Sequence, residues 1–206
     1  MFISWKVKSL TLSLRFACSG GRGKLMSMTS PDEDPACAVA HGHAPLVANG
    51  RTLVAVFFSP VAGYLLHFGR DAGFRTMLVE PDAGQAEAAR DSGLTVETQV
   101  PAALGDAADV VVTDHHRPEL GTMLRDALAT QARWVGVMGK ANHPAPHIPA
   151  LAGLGVPAGE IARVHRPIGL NIGSRTPAEI AISTLAGLIA DHNGRPGGFS
   201  YPATAS

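Results

Sequence analysis

The sequence predicts an α/β domain with a doubly wound parallel sheet and helices on both faces. Two observations carry this. Segments that read as buried strands recur at 53–58, a continuous apolar run, at 109–113, with three consecutive valines, and at 134–139, and segments with apolar residues at helical spacing separate them. A strand covered by helices on both sides needs no polar alternation, so unbroken apolar runs mark a parallel sheet. Strands alternating with helices of this length build βαβ units.

The first unit begins near Arg51. Leu53 to Phe58 reads as a buried strand bounded by Ser59-Pro60, and Val61 to Asp71 as a helix closed by Gly73. Arg75 to Val79 is the second strand, ending at Glu80-Pro81-Asp82. The spacing then predicts a helix over 83–91, a short strand at 94–96 and a buried strand over 109–113 that runs into Asp114-His115-His116. A helix over 119–132 presents Leu120, Met123, Leu124, Ala127 and Leu128 on one face and leads to the strand 134–139. Residues 147–154 form a short helical piece, and 156–162 add one further turn. Thr176-Pro177-Ala178-Glu179 opens an apolar helix to about Asp191, with Thr as N-cap, Pro at the first helical position and Glu at the third, a capping box.

With 206 residues and 46% hydrophobic content, the chain can bury one sizeable core. That core falls in 51–195. Residues 1–50 read as an N-terminal extension without periodicity, and 196–206 as a flexible tail. Seventeen acidic residues balance 17 basic ones, which argues against a nucleic-acid platform. Cys18 and Cys37 are the two cysteines and imply neither a disulfide framework nor a thiolate metal site, so a cytoplasmic setting is expected. Nothing reaches the roughly 20 apolar residues a membrane span needs. The first 28 residues carry basic but no acidic residues, as an export signal would. Ser13 and Arg15 interrupt their apolar stretch, which favours an over-long start ahead of Met26 or Met28.

A dinucleotide-binding unit needs G-x-G-x-x-G after its first strand, so that backbone N–H groups can approach a pyrophosphate. Here that spacing falls on Phe58, Pro60 and Gly63, leaving Gly63 for close helix–strand packing. This argues against an NAD(P)-dependent oxidoreductase, the main competing function. Glu80 lies where an acid would reach ribose hydroxyls, or else it is an exposed acid at a strand end. Asp114 and His115 follow a buried strand at the sheet's carboxyl edge, where open α/β sheets place ligands; hydrogen bonding to an anion or heterocycle suits them better than metal ligation. The segment 165–180 offers two glycines, Gly169 and Gly173, then Ser174, Arg175 and Thr176 before a helix N-terminus, an arrangement suited to an oxyanion or, alternatively, to helix capping alone.

That segment, HRPIGLNIGSRTPAEIAIS, resembles the signature PIGLDIGARTPEEIAVS of the xanthine dehydrogenase accessory (XdhC/CoxI-type) family. VVVTDHH and WVGVMG resemble the strand–helix–strand stretch before it, so the likeness covers roughly 51–193. It implies a Rossmann-like domain that binds molybdenum cofactor (molybdopterin) and helps deliver it to molybdenum hydroxylases of the xanthine dehydrogenase type, a chaperone and not a turnover enzyme. A cofactor-sulfurating enzyme is a further implied partner, and a homodimer is compatible with it. Gly136 and Gly139 match the glycines at the end of the family's fifth strand, and Gly169, Gly173, Arg175, Thr176, Pro177 and Glu179 match the signature. On this resemblance Arg175, the 169–176 loop and Lys140 would hold the anionic parts of the cofactor, and Asp114 or His115 its heterocycle. The chain departs from the family at G-A-G-H, replaced by Phe58-Ser59-Pro60-Val61, and at G-S-R, replaced by Gly139-Lys140-Ala141. The family's separate N-terminal domain has no counterpart in 1–50, and a degenerate domain that only docks to a partner enzyme is the third function the sequence allows.

Overall fold

A computed structural model describes residues 35–45, 48–139 and 144–198. The chain divides after Pro45 into two units. Among its described residues the first contains one short helix, α1 (Pro35–Ala40), inside the stretch read from sequence as aperiodic. It is alanine-containing and six residues long, too brief to show a helical period.

The second unit is the α/β domain. Its elements are β1 (Thr52–Val56), α2 (Pro60–Asp71), β2 (Arg75–Val79), α3 (Ala83–Asp91), β3 (Val96–Glu97), β4 (Ala108–Val112), α4 (Leu120–Leu128), β5 (Trp134–Val137), α5 (His147–Gly153), α6 (Ala158–Ile161), β6 (Val164–His165) and α7 (Pro177–His192). The strands form one six-stranded, all-parallel sheet in the order β3-β2-β1-β4-β5-β6. The chain reverses direction across the sheet between β1 and β4, and the crevice beyond their carboxyl ends is where such a fold places a ligand.

Apolar alternation divides the core between two faces. Val54, Val56, Val110, Val112, Val135 and Val137 face α4 and α5, while Leu53, Ala55, Leu78, Val111 and Trp134 face α2 and α7. Every residue of β4 and β5 is buried, including the charged Asp109 at the start of β4. β6 follows the helical turn read at 156–162, at a place where no strand is read from sequence, because two residues carry no period.

The amino end of the sheet is tied by charge. Fully buried Asp109 accepts from Arg51 Nη2 at 2.6 Å and from Arg133 Nη2 and Nε at 2.6 and 3.0 Å, and Arg133 reaches Asp191 near the end of α7 at 2.6 Å. Arg51 also donates to the carbonyl of Leu188 in α7 and stacks on Phe74, 4.5 Å from the ring centre. Since α7 ends at the strands' amino ends, its N-terminus and that of α2 lie toward the carboxyl edge. Among the described residues no helix is long and apolar enough to cross a membrane.

Candidate functional site at the carboxyl edge of the sheet

The β1–α2 loop leaves the central strand in an unusual way. Phe57 has φ 73°, a left-handed conformation that a bulky residue adopts only under constraint. Burial of its ring and the Arg117 guanidinium 4.7 Å above it supply that constraint. The positive φ marks the position where a dinucleotide fold has its first glycine. The glycine pattern therefore falls on Phe57, Ser59 and Ala62, one residue earlier than the spacing placed it. Ala62 is fully buried, whereas a Cβ on Gly63 would meet nothing within 4 Å. Gly63 thus does not serve close helix–strand packing; it opens onto a cleft of about 510 Å³ between α2 and α3, with Phe58, His67 and Arg70.

Ser59 caps α2, its hydroxyl accepting from the Ala62 amide at 3.1 Å and donating to Thr113 Oγ1 at 3.1 Å. Ser before Pro at a helix start was a signal the sequence offered for this role. Thr113, at the end of β4, lies 3.0 and 2.8 Å from the carbonyls of Val56 and Phe57.

Glu80 is neither an exposed strand-end acid nor open to a ribose: it is fully buried. One oxygen accepts from the Phe58 amide at 2.7 Å and the other from the Asp82 amide at 2.9 Å, while Arg117 straddles both at 3.3 and 2.9 Å. Partial burial pulls the Arg117 pKa down, and hydrogen bonds to Glu80 and Glu119 outweigh it, leaving the guanidinium above its ordinary value. Sequence reading passed over Arg117 because its partner lies 37 residues away. Asp114 accepts from the His116 amide at 2.8 Å in a tight local turn, and the rings of His115 and His116 lie 4.1 Å apart. Among the described residues no group of three or more His, Cys, Asp or Glu is placed to hold a metal.

Several glycines expected to face a ligand face protein. A Cβ on Gly136 would overlap the Trp134 indole and come within 2.7 Å of Ile168. One on Gly139 would come within 2.7 Å of Arg166 Nη2, and one on Gly169 within 2.8 Å of the α7 backbone at Ser183 and Thr184. Gly169 lines a small cleft of about 240 Å³ with Trp134 and Asp191. Gly173 has φ 70° with open space around it, so it serves the turn alone. Lys140 lies outside the described residues.

The start of α7 forms the expected capping box. Glu179 Oε2 accepts from the amides of Arg175 and Thr176 at 2.7 and 3.1 Å, and Thr176 Oγ1 accepts from the Glu179 amide at 3.3 Å. Those amide bonds hold the exposed Glu179 carboxyl below its ordinary pKa. Of the two roles the sequence allowed for this segment, an oxyanion site or helix capping alone, capping is what the Arg175 and Thr176 amides serve. What stays accessible is the exposed side chain of Arg175, beside half-buried Ser174.

On the other side of β5, His147 lies 5% exposed, beside a cleft of about 440 Å³ shared with Arg166, and its Nδ1 has no hydrogen-bond partner among the described residues. Burial, reinforced by the charge of Arg166, lowers its pKa below the ordinary 6.5. Below that ordinary value the unfolded chain takes up this proton more readily than the folded one, so stability is complete above about pH 6.5 and declines as pH falls. His147→Phe should flatten the loss of melting temperature between about pH 7 and about pH 5; an unchanged slope would assign the loss to other groups.

The chain matches the family model of the XdhC Rossmann domain over residues 53–188. It is 34% identical over 89 residues to the uncharacterized protein YqeB of Escherichia coli (strain K12), covering 43% of this chain and 16% of that one. The fold is similar to that of a crystal structure of a xanthine dehydrogenase from Bacillus halodurans, with TM-score 0.56 and 22% identity over 70% of this chain and 45% of that chain. The chain thus spans less than half the length of each of these relatives. The match to the family model runs from β1 almost to the end of α7 and takes in the signature helix start, so this chain belongs to the XdhC Rossmann domain family.

Proposed function

We propose that the chain is an accessory domain for molybdenum hydroxylases of the xanthine dehydrogenase type, meeting the anionic part of molybdenum cofactor through the Arg175 edge in a site completed by a second surface. The observation that carries this reading is the state of the signature: the capping box is intact, the Arg175 and Thr176 amides are spent on it, and the exposed Arg175 guanidinium is not needed for it. A phosphate does not fit the β1–α2 loop, where Glu80 holds the Phe58 amide and Pro60 has no N–H. It does fit the charge of Arg175. An exposed guanidinium contributes only about 0–1 kcal/mol to an ion pair in water, so tight binding needs a surface that closes over it. A molybdenum hydroxylase, or a cofactor-sulfurating enzyme, is the partner class that would supply it.

Arg175→Ala should leave stability within about 0.5 kcal/mol of the parent, since the side chain supports nothing internal. It should weaken capture of molybdenum cofactor by the protein mixed with its hydroxylase, and the deficit should shrink as salt is raised. Equal capture by both proteins would remove Arg175 from the site. The closed β1–α2 loop favours a second reading, a domain that docks to the hydroxylase without touching cofactor. Undiminished co-purification from cells unable to make the cofactor, together with equal capture by Arg175→Ala, would select it.

A further inference from the structure

Where a dinucleotide fold offers loop amides to a ligand's phosphate, this chain offers the Phe58 amide to its own Glu80 carboxylate. We infer that the β1–α2 loop is a self-liganded anion site: Glu80 takes the place of a phosphate and keeps nucleotides out of this half of the carboxyl edge. The inference goes beyond the proposed function and does not depend on Arg175.

The donor set is what a bound oxyanion receives. Two backbone amides, Phe58 and Asp82, and the two-pronged guanidinium of Arg117 converge on the two Glu80 oxygens at 2.7 to 3.3 Å. In an open dinucleotide site the acid ending the second strand reaches for ribose hydroxyls and the loop amides stay free for pyrophosphate. Here the acid turns into the loop and is fully buried.

The three positions of the glycine pattern complete the closure. At the first, Phe57 accepts a left-handed backbone and carries on its ring face the arginine that clamps Glu80. At the second, Ser59 spends its hydroxyl on the Ala62 amide and Thr113. At the third, Ala62 is buried. A pyrophosphate entering this loop would have to displace a carboxylate held by four donors and would meet its negative charge at contact distance.

Thermal melting of the full chain tests this with NADH, inorganic pyrophosphate, acetate and phosphate as probes, against sodium chloride at matched ionic strength. The parent protein should show no saturable stabilisation by NADH or pyrophosphate. Glu80→Ala, which vacates the site and leaves Arg117 with the more exposed Glu119 as its one carboxylate partner, should melt about 10 °C lower and recover part of the loss saturably with acetate or phosphate but not chloride. Glu80→Gln, which still fills the space, should show no such recovery. Saturable stabilisation of the parent by NADH or pyrophosphate overturns the inference, as does a folded Glu80→Ala protein indifferent to acetate and phosphate. Should Glu80→Ala fail to fold, amide exchange in the parent decides: a protected Phe58 amide upholds the closure, and exchange at the rate of an open loop overturns it. Arg175→Ala should change none of these results, so failure here and failure of the accessory reading are separable.

Discussion

Asp109→Ala is expected to be among the most damaging single substitutions in the domain, with a loss of about 3–5 kcal/mol in urea unfolding. Asp109 is fully buried and accepts from two arginines, Arg51 and Arg133. Removing it leaves Arg51, itself 6% exposed, without its carboxylate in a space from which water is excluded. The damage should spread, because Arg133 also pairs with Asp191 and Arg51 donates to Leu188, so the same cluster anchors the end of α7 to the sheet. The cost comes from unpaired charge and not from lost attraction. A triple variant, Arg51→Met with Asp109→Leu and Arg133→Met, should therefore recover most of the stability. A loss under about 1 kcal/mol for Asp109→Ala would show that water reaches the cluster.

Gly169→Ala is expected to cost about 2–4 kcal/mol, and Gly173→Ala only about 1 kcal/mol, although both glycines lie in the signature loop and both have positive φ. The difference is what an added methyl would meet. At Gly169 it would lie 2.8 Å from the backbone of Ser183 and Thr184, main-chain atoms of α7 that cannot turn aside. At Gly173 it would meet nothing within 4 Å, leaving only the left-handed backbone cost. Gly187→Ala tests the same crossing from the helix side, since its methyl would come within 2.9 Å of Gly169 Cα. Equal losses at 169 and 173 would mean that the loop moves off the helix freely, and the close approach would not matter to the fold.

These two substitutions bear on what the signature does. Read along the chain, Gly169, Gly173, Ser174, Arg175 and Thr176 look like one anion-binding loop. In three dimensions Gly169 seats the loop on α7, Gly173 makes a turn, Thr176 caps the helix with Glu179, and Arg175 extends outward. A motif conveys spacing, and spacing cannot separate a glycine that admits a ligand from one that admits the next helix. Gly136 makes the same point, since its missing side chain makes room for the Trp134 indole, stacked 4.8 Å from His165.

The layered architecture is legible along the chain: apolar runs without alternation could be satisfied only between two layers of helix, and Thr176-Pro177-Ala178-Glu179 specified the start of α7 through contacts within one turn. Such local rules involve neighbours a few residues apart, which is why they are legible along the chain. Tertiary structure alone decided that Glu80 serves the loop at Phe58 and the guanidinium of Arg117, that Asp109 gathers Arg51 and Arg133, and that Phe57 takes the left-handed position. Those pairings join residues 22 to 58 apart. A buried charge takes the partner that folding brings to its side, and nothing in the order of the residues marks which one that will be.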